Sequence, residues 1–210
     1  MAYPTIDAPY GLVPVGLIGG RPYAGATRQM KIASNYGTAI GKGDLVKRVS
    51  DGTVERDGST SALPATGTLG VFMGCQYTDP NTSQLTFNNQ YPGSVVASDI
   101  YAFVVDDPDV LFKAAVCSSG TTMATLGLTC IGNNAQIISN TLNTSNGRSK
   151  LAINSSIGTT LSYPFKIIDV VEETKTGSDA FAELILAYNA PYESSNIAVG
   201  GHAYRVATGL

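Results

Sequence analysis

Tryptophan is absent from this 210-residue sequence, and histidine occurs once, at His202. Without Trp, a sugar-stacking platform would have to be built from tyrosines. A single His in a glycine-rich stretch is a poor general base unless something buries and orients it. Charge is scarce as well. Only 14% of residues are Asp, Glu, Lys or Arg, against about 25% in an ordinary soluble domain. A surface so poor in charge is expected to be covered by partners, although a Gly/Thr-rich β protein can have the same composition. No run approaches the ~18 apolar residues that a membrane span requires. The N-terminus lacks the charged and apolar regions of a signal peptide, so assembly in a cytosol is expected. The cysteines, Cys75, Cys117 and Cys130, are odd in number and lack Cys-x-x-Cys spacing. Buried free thiols are therefore favoured over a disulfide.

Catalytic and metal-binding signatures are missing too. Gly147-Arg148-Ser149-Lys150-Leu151 lacks the final glycine of a nucleophile elbow. Gly41-Lys42-Gly43 has neither the length of a phosphate-cradling loop nor the Ser/Thr after Lys. There is no His/Cys cluster of metal-ligand spacing. Asp106-Asp107-Pro108-Asp109 lacks the spaced oxygen ligands of a calcium loop and reads as a solvated turn. Glu172 and Glu173, adjacent on an expected strand end, would face opposite ways. No enzyme activity, metal or cofactor is expected, and no dense Lys/Arg stripe points to nucleic acid.

What is present is apolar and unevenly charged. Apolar residues make up 43% of the chain, enough for a core. Residues 1–48 carry six cations (Arg21, Arg28, Lys31, Lys42, Lys47, Arg48) against Asp7 and Asp44, while the remainder is acidic. A basic front end can dock on an acidic surface; scattered, solvated cations are the plainer alternative. Prolines at 4, 9, 14 and 22 exclude a helix from residues 1–24. Yet Tyr3, Ile6, Tyr10, Leu12, Val13 and Ile18 make this segment too apolar for a disordered linker. An extended arm of this kind must lie on something, either its own domain, as an edge strand, or a neighbouring chain.

Further along, Arg28–Ala33 alternates around Met30 and Ile32 and suits a short strand. Leu45-Val46 and Thr53-Val54 flank Asp51-Gly52 and read as a hairpin. Gly70 and Gly74 lie in a third strand where backbones approach closely. The polar loop from Glu55 to Thr68 is expected on the surface. Val95-Val96, Ile100–Val105 and Val110–Val116 read as strands. Asn146-Gly147 marks another turn, and Ala180–Tyr188 favours a strand over a short helix. The tail, 191–210, reads as a second extended arm. It contains Tyr192, Tyr204 and Val206.

Three pieces resemble a known family. Gly43-Asp44-Leu45-Val46, the Asp51-Gly52 turn and Leu69-Gly70-Val71-Phe72 resemble the compact β domain of tailed-phage capsid decoration (cement) proteins. Val104-Val105-Asp106-Asp107-Pro108-Asp109-Val110-Leu111-Phe112 is a second piece in the same order. Gly147-x-Ser149-x-x-x-Ile153, followed by Pro164-Phe165-Lys166-Ile167-Ile168-Asp169-Val170-Val171, resembles their C-terminal β-barrel half. Together they span about residues 39–190.

The expected fold is mainly β, with a β-tulip-like hairpin module at 25–93 and a β-barrel-like module at 94–190. Extended arms flank them at 1–24 and 191–210, and the modules can form one intertwined domain. The implied function is a virion protein on the outer capsid surface, assembled in the host cytoplasm. It would stabilise the lattice by burial between capsomers. Expected partners are the major capsid protein and neighbouring copies of the chain, a trimer being one option, with no nucleic acid or membrane. Expected contact residues are Tyr3, Ile6, Tyr10, Leu12, Val13 and Ile18, with Arg21 and Arg28 as electrostatic helpers. A β-rich adhesion protein that binds host glycans through exposed Tyr and Asn is the alternative.

Overall fold

The computed structural model describes residues 6–60, 68–177, 179–189, 192–194, 197–199 and 202–205. Tyr3 and Val206 lie outside the described residues. Strand accounts for 47% of the chain and helix for 5%, so the protein is mainly β. The reason is local: β-branched and aromatic runs alternate with Gly, Asp, Asn and Pro punctuation. The first half contains β1 (Val13–Leu17), β2 (Arg28–Lys31), β3 (Ile40–Gly41), β4 (Leu45–Arg48), β5 (Val54–Arg56), β6 (Gly70–Thr78), β7 (Leu85–Asn88), β8 (Gln90–Tyr91) and β9 (Tyr101–Val105). The second contains β10 (Val110–Ser119), β11 (Thr122–Met123), β12 (Asn134–Ile138), β13 (Ala152–Gly158), β14 (Phe165–Val170), β15 (Lys175–Thr176), β16 (Ala180–Phe181), β17 (Glu183–Tyr188), β18 (Tyr192–Ser194) and β19 (Ile197–Val199). The described helical turns are short 3-10 segments at Leu128–Cys130, Glu172–Thr174 and Ala203–Arg205. Glu172 and Glu173 therefore sit on a 3-10 turn instead of a strand end.

Five strands close into a barrel in the order β10-β13-β12-β14-β17, and β17 pairs back onto β10 from Phe112↔Leu186 to Ala115↔Glu183. Closure leaves no free edge along this path. The interior is filled by Phe112, Val116, Ile137, Ile153, Phe165, Ile167, Leu184, Leu186 and Tyr188, all buried. Phe112, Phe165 and Tyr188 meet with ring centroids 5.3 to 6.5 Å apart, the range that aromatic pairs prefer.

The second sheet runs β2-β9-β6-β4-β5, with β7 also on β6. The Asp51-Gly52 hairpin joins β4 to β5 as expected, with Val49 N–H donating to Thr53 O at 3.0 Å, an ordinary hydrogen-bond length. Gly70 has no room for a side chain. A Cβ there would stand 2.2 Å from the carbonyl oxygen of Val105 on β9. The two sheets are not separate bodies, because Leu45, Val71 and Val105 pack into the barrel's core cluster.

Several boundaries differ from expectation. The division at 93/94 is displaced, because β9 at 101–105 belongs to the first sheet and the chain changes sheets at the Asp106–Asp109 turn. Val95-Val96 is loop, with Val95 buried and Val96 exposed. The loop from Glu55 to Thr68 is not wholly on the surface. Asp57 and Thr68 are buried and bonded to each other at 2.7 Å, and residues 61–67 are outside the description. The ambiguous run at 180–188 is strand.

In their described parts, both arms rest on their own chain. β1 lies antiparallel on β10, Val13↔Lys113 through Leu17↔Val110. It covers the part of that edge which β13, pairing only at Val116 and Cys117, leaves open. Without β1 the backbone groups of β10 from Val110 to Lys113 would lack these partners on that side. The tail is no extended arm in its described parts. β18 and β19 form a hairpin, and Ala203 N–H donates to Thr68 O at 2.7 Å.

Candidate contact face along the N-terminal arm

Three chain segments cross where the arm meets the barrel. Gly11 N–H donates to Leu151 O at 3.1 Å, and Leu12 N–H to Gly43 O at 2.9 Å. Lys42 N–H donates to Gly147 O, and Ser149 N–H to Lys42 O, both at 2.9 Å. The crossing needs glycine. Gly11 and Gly43 have φ of +85° and +96°, and a Cβ on Gly11 would lie 2.8 Å from the Ser149 Cβ. Two of the pieces singled out in the sequence, around Gly43 and around Ser149, thus meet in space.

Asp44 ties this crossing from inside. Its carboxylate is 1% exposed. It accepts from Gly41 N–H at 2.8 Å, Arg56 Nε at 3.1 Å and Ser149 Oγ at 2.5 Å. Arg56 continues the network to Asn140 O at 2.7 Å. A buried charge is tolerated because both its charge and its lone pairs are met.

The eight expected contact residues divide. Ile6 is half-buried at a cleft beside Met123, Ala124 and Thr174 of its own barrel. Tyr10 donates its phenol proton to Glu183, a buried carboxylate on β17 that also pairs with Lys113 at 3.4 Å. Burial first, then the Glu183 hydrogen bond and charge, raise the Tyr10 phenol far above its ordinary value. Leu12 is 1% exposed within the barrel core, which corrects its assignment as an outer contact: an aliphatic side chain at the Gly43 crossing has only the core to enter. Val13 is half-buried opposite Lys113. Ile18, 48% exposed, and Arg21 point away from the chain, joined by Val15. Arg28 sits on β2, where its guanidinium meets Asp106 at 2.9 Å. Tyr3 lies outside the described residues.

Functional-looking groups that sequence reasoning passed over cluster at the acidic turn. Asp106 accepts from Tyr204 OH at 2.6 Å, and Asp109 pairs with Arg205. Ile18 N–H donates to Asp109 O at 2.8 Å. The turn expected to be solvated anchors both arms. His202, on the tail, is fully buried and stacks edge-on against Tyr188 at 5.0 Å. Burial pushes its pKa down to about 4. Glu183 carried a legible signal, since a lone carboxylate inside Ala-Phe-Ala-Glu-Leu-Ile-Leu must find a partner when the run is buried.

A second outward apolar feature lies on β7. Leu85 and Phe87 are exposed, Phe87 by 66%, and Phe87 stacks on Phe103 at 6.4 Å. Residues 80–98 hold no charged side chain. Among the described residues no group of three His, Cys, Asp or Glu is placed to hold a metal. No family model, no curated protein and no solved structure matches this chain.

Proposed function

We propose that this chain is a structural virion protein of the capsid-decoration type, bound to the outer surface of a tailed-phage capsid and assembled in the host cytoplasm. The observation that carries the reading is the two-sided arm. One side is pinned by Leu12, Tyr10 and the β10 pairing, and the other presents Val15, Ile18 and Arg21 to the exterior. A pinned strand is already ordered, so a partner gains its contacts without the entropic cost of ordering a loose arm. Burying each exposed aliphatic side chain contributes about 1.5–3 kcal/mol. Many copies on a symmetric shell then multiply a modest energy per copy. The order of the three sequence pieces supports the same reading, as does the charge-poor surface. The partners proposed are the major capsid protein and neighbouring copies of the chain.

A binding role without chemistry fits the titratable groups. Burial is the largest cause of the shifts at Tyr10, Cys75, Tyr188 and His202. Tyr188 and His202 touch edge-on, ring centroids 5.0 Å apart, and burial favours the neutral form of each. The test is the composition of purified particles. The chain should be present at a fixed, near-stoichiometric ratio to the major capsid protein and should co-sediment with stripped shells when added back. A chain that is missing from particles and does not co-sediment would end the reading.

A further inference from the structure

Beside the arm crossing is a hollow of about 220 Å³. Its walls are Tyr10, Val13, Tyr23 and Met73, and two cations, Lys42 and Arg148, stand at it. Neither cation has an ion pair among the described residues. The carboxylate next to this wall, Glu183, is buried and already engaged by Tyr10 and Lys113. Asp44, one residue beyond Gly43, is engaged by Arg56 and Ser149. Among the described residues, Glu183 and Asp44 are thus engaged, while Lys42 and Arg148 stand without an anion at an aromatic and aliphatic hollow.

The placement is built into the fold. Lys42 and Arg148 are held side by side by the paired backbone hydrogen bonds between residues 42, 147 and 149. Their separation therefore does not depend on two free loops finding each other. A guanidinium offers a fork that matches a carboxylate, and an ammonium adds a point charge. Lys42 is half-buried and Arg148 exposed, so the low-dielectric walls strengthen the ammonium's pull more than the guanidinium's. The walls themselves reward an apolar body, and the tyrosine rings reward a flat one.

We propose that this hollow is a binding site for a carboxylate carried on an apolar or aromatic body. Lys42 and Arg148 hold the carboxylate, while Tyr23, Met73 and Val13 hold the body. Its volume suits a single amino-acid side chain or a small free acid. The site goes beyond the capsid-binding reading and stands without it.

The probe is 3-phenylpropionate, with 3-phenylpropionamide as the neutral control, added to the full chain and followed by amide chemical shifts. A dissociation constant on the order of millimolar is expected, the range that fragments of this size reach. Shifts should be confined to residues around Tyr10–Val13, Lys42, Met73 and Arg148. The amide should bind about tenfold more weakly, and so should the acid to a Lys42→Gln/Arg148→Gln variant, whose unperturbed spectrum elsewhere reports its folding. No shifts with the acid, or equal shifts with acid and amide, overturn the proposal without needing any variant. A second arm names the source of the carboxylate. If the double variant also co-sediments with stripped shells about tenfold less well, an acidic side chain of the shell fills the site. If it co-sediments normally while acid binding is lost, the ligand is a free acid, and the site stands. Failure of the wild-type chain to co-sediment at all strikes the capsid reading and leaves the site untouched.

Discussion

At the scale of single residues, buried polar groups carry more of the structure than their number suggests. Asp44 bonds three segments at once, so Asp44→Ala would leave the Arg56 guanidinium, whose side chain is 17% exposed, without its counter-charge. Removing one partner of such a pair costs roughly 3–5 kcal/mol. Urea unfolding should show a loss of that size, and an unchanged midpoint would refute the network's importance. His202 gives a pH dependence. The unfolded chain takes up a proton near the ordinary value of 6.5, while the folded chain keeps the ring neutral down to about 4. Within that window the unfolded state binds more protons, so stability falls as pH is lowered through it and levels off below about 4. The span corresponds to about 3 kcal/mol. Comparing unfolding free energy against pH for the wild type and His202→Gln isolates this contribution. Parallel curves would show that His202 does not titrate differently on folding. The partnerless look of His202 in the sequence was misleading, because one of the rings packed on it, Tyr188, lies fourteen residues upstream, and the other is Tyr204.

At the scale of elements, the arm has a core side and an outer side. Leu12→Ala should lower stability by about 2–5 kcal/mol, as truncation of a buried leucine does. Ile18→Asp should stay within about 0.5 kcal/mol, as exposed substitutions do, while abolishing attachment to shells if the proposed function holds. Chemical denaturation of the two variants checks the contrast, and equal losses would contradict the two-sided arm. Gly70 is a second elemental test. A methyl group there meets the Val105 carbonyl at 2.2 Å, so Gly70→Ala must separate β6 from β9. Loss of soluble, folded protein is expected, read by yield and by near-UV circular dichroism. The hairpin at Asp51-Gly52 and the strand at β9 were visible in the sequence, because their signals are local. The pairing of β1 with β10 was left open, since it depends on which edge remains free after β13 and β17 have closed the barrel.

At the scale of the whole molecule, far-UV circular dichroism should show a β spectrum with little helix. A strongly helical spectrum would contradict the fold. The thiols give an independent check. Cys75, Cys117 and Cys130 are free and buried, and burial pushes the Cys75 thiol up to about 12. A thiol reagent should therefore label none of them in the native protein and all three after unfolding. Native-state labelling at rates matching a free thiol would mean that the core opens far more readily than this packing allows.

Composition, periodicity and turn residues by themselves determined that this protein is mainly β, and placed strands such as β4, β5, β6 and β9, though not the loop at Val95-Val96. Those properties follow from side-chain alternation and backbone restrictions within a few residues. Only the tertiary structure decided that β9 joins the first sheet, that the acidic turn at Asp106–Asp109 moors both arms, and that Leu12 enters the core. It alone brought Lys42 beside Arg148. These facts depend on which distant surfaces meet when the barrel closes. Pairing between segments a hundred residues apart leaves no periodic trace in either segment, because each satisfies its local rules whichever partner it finds.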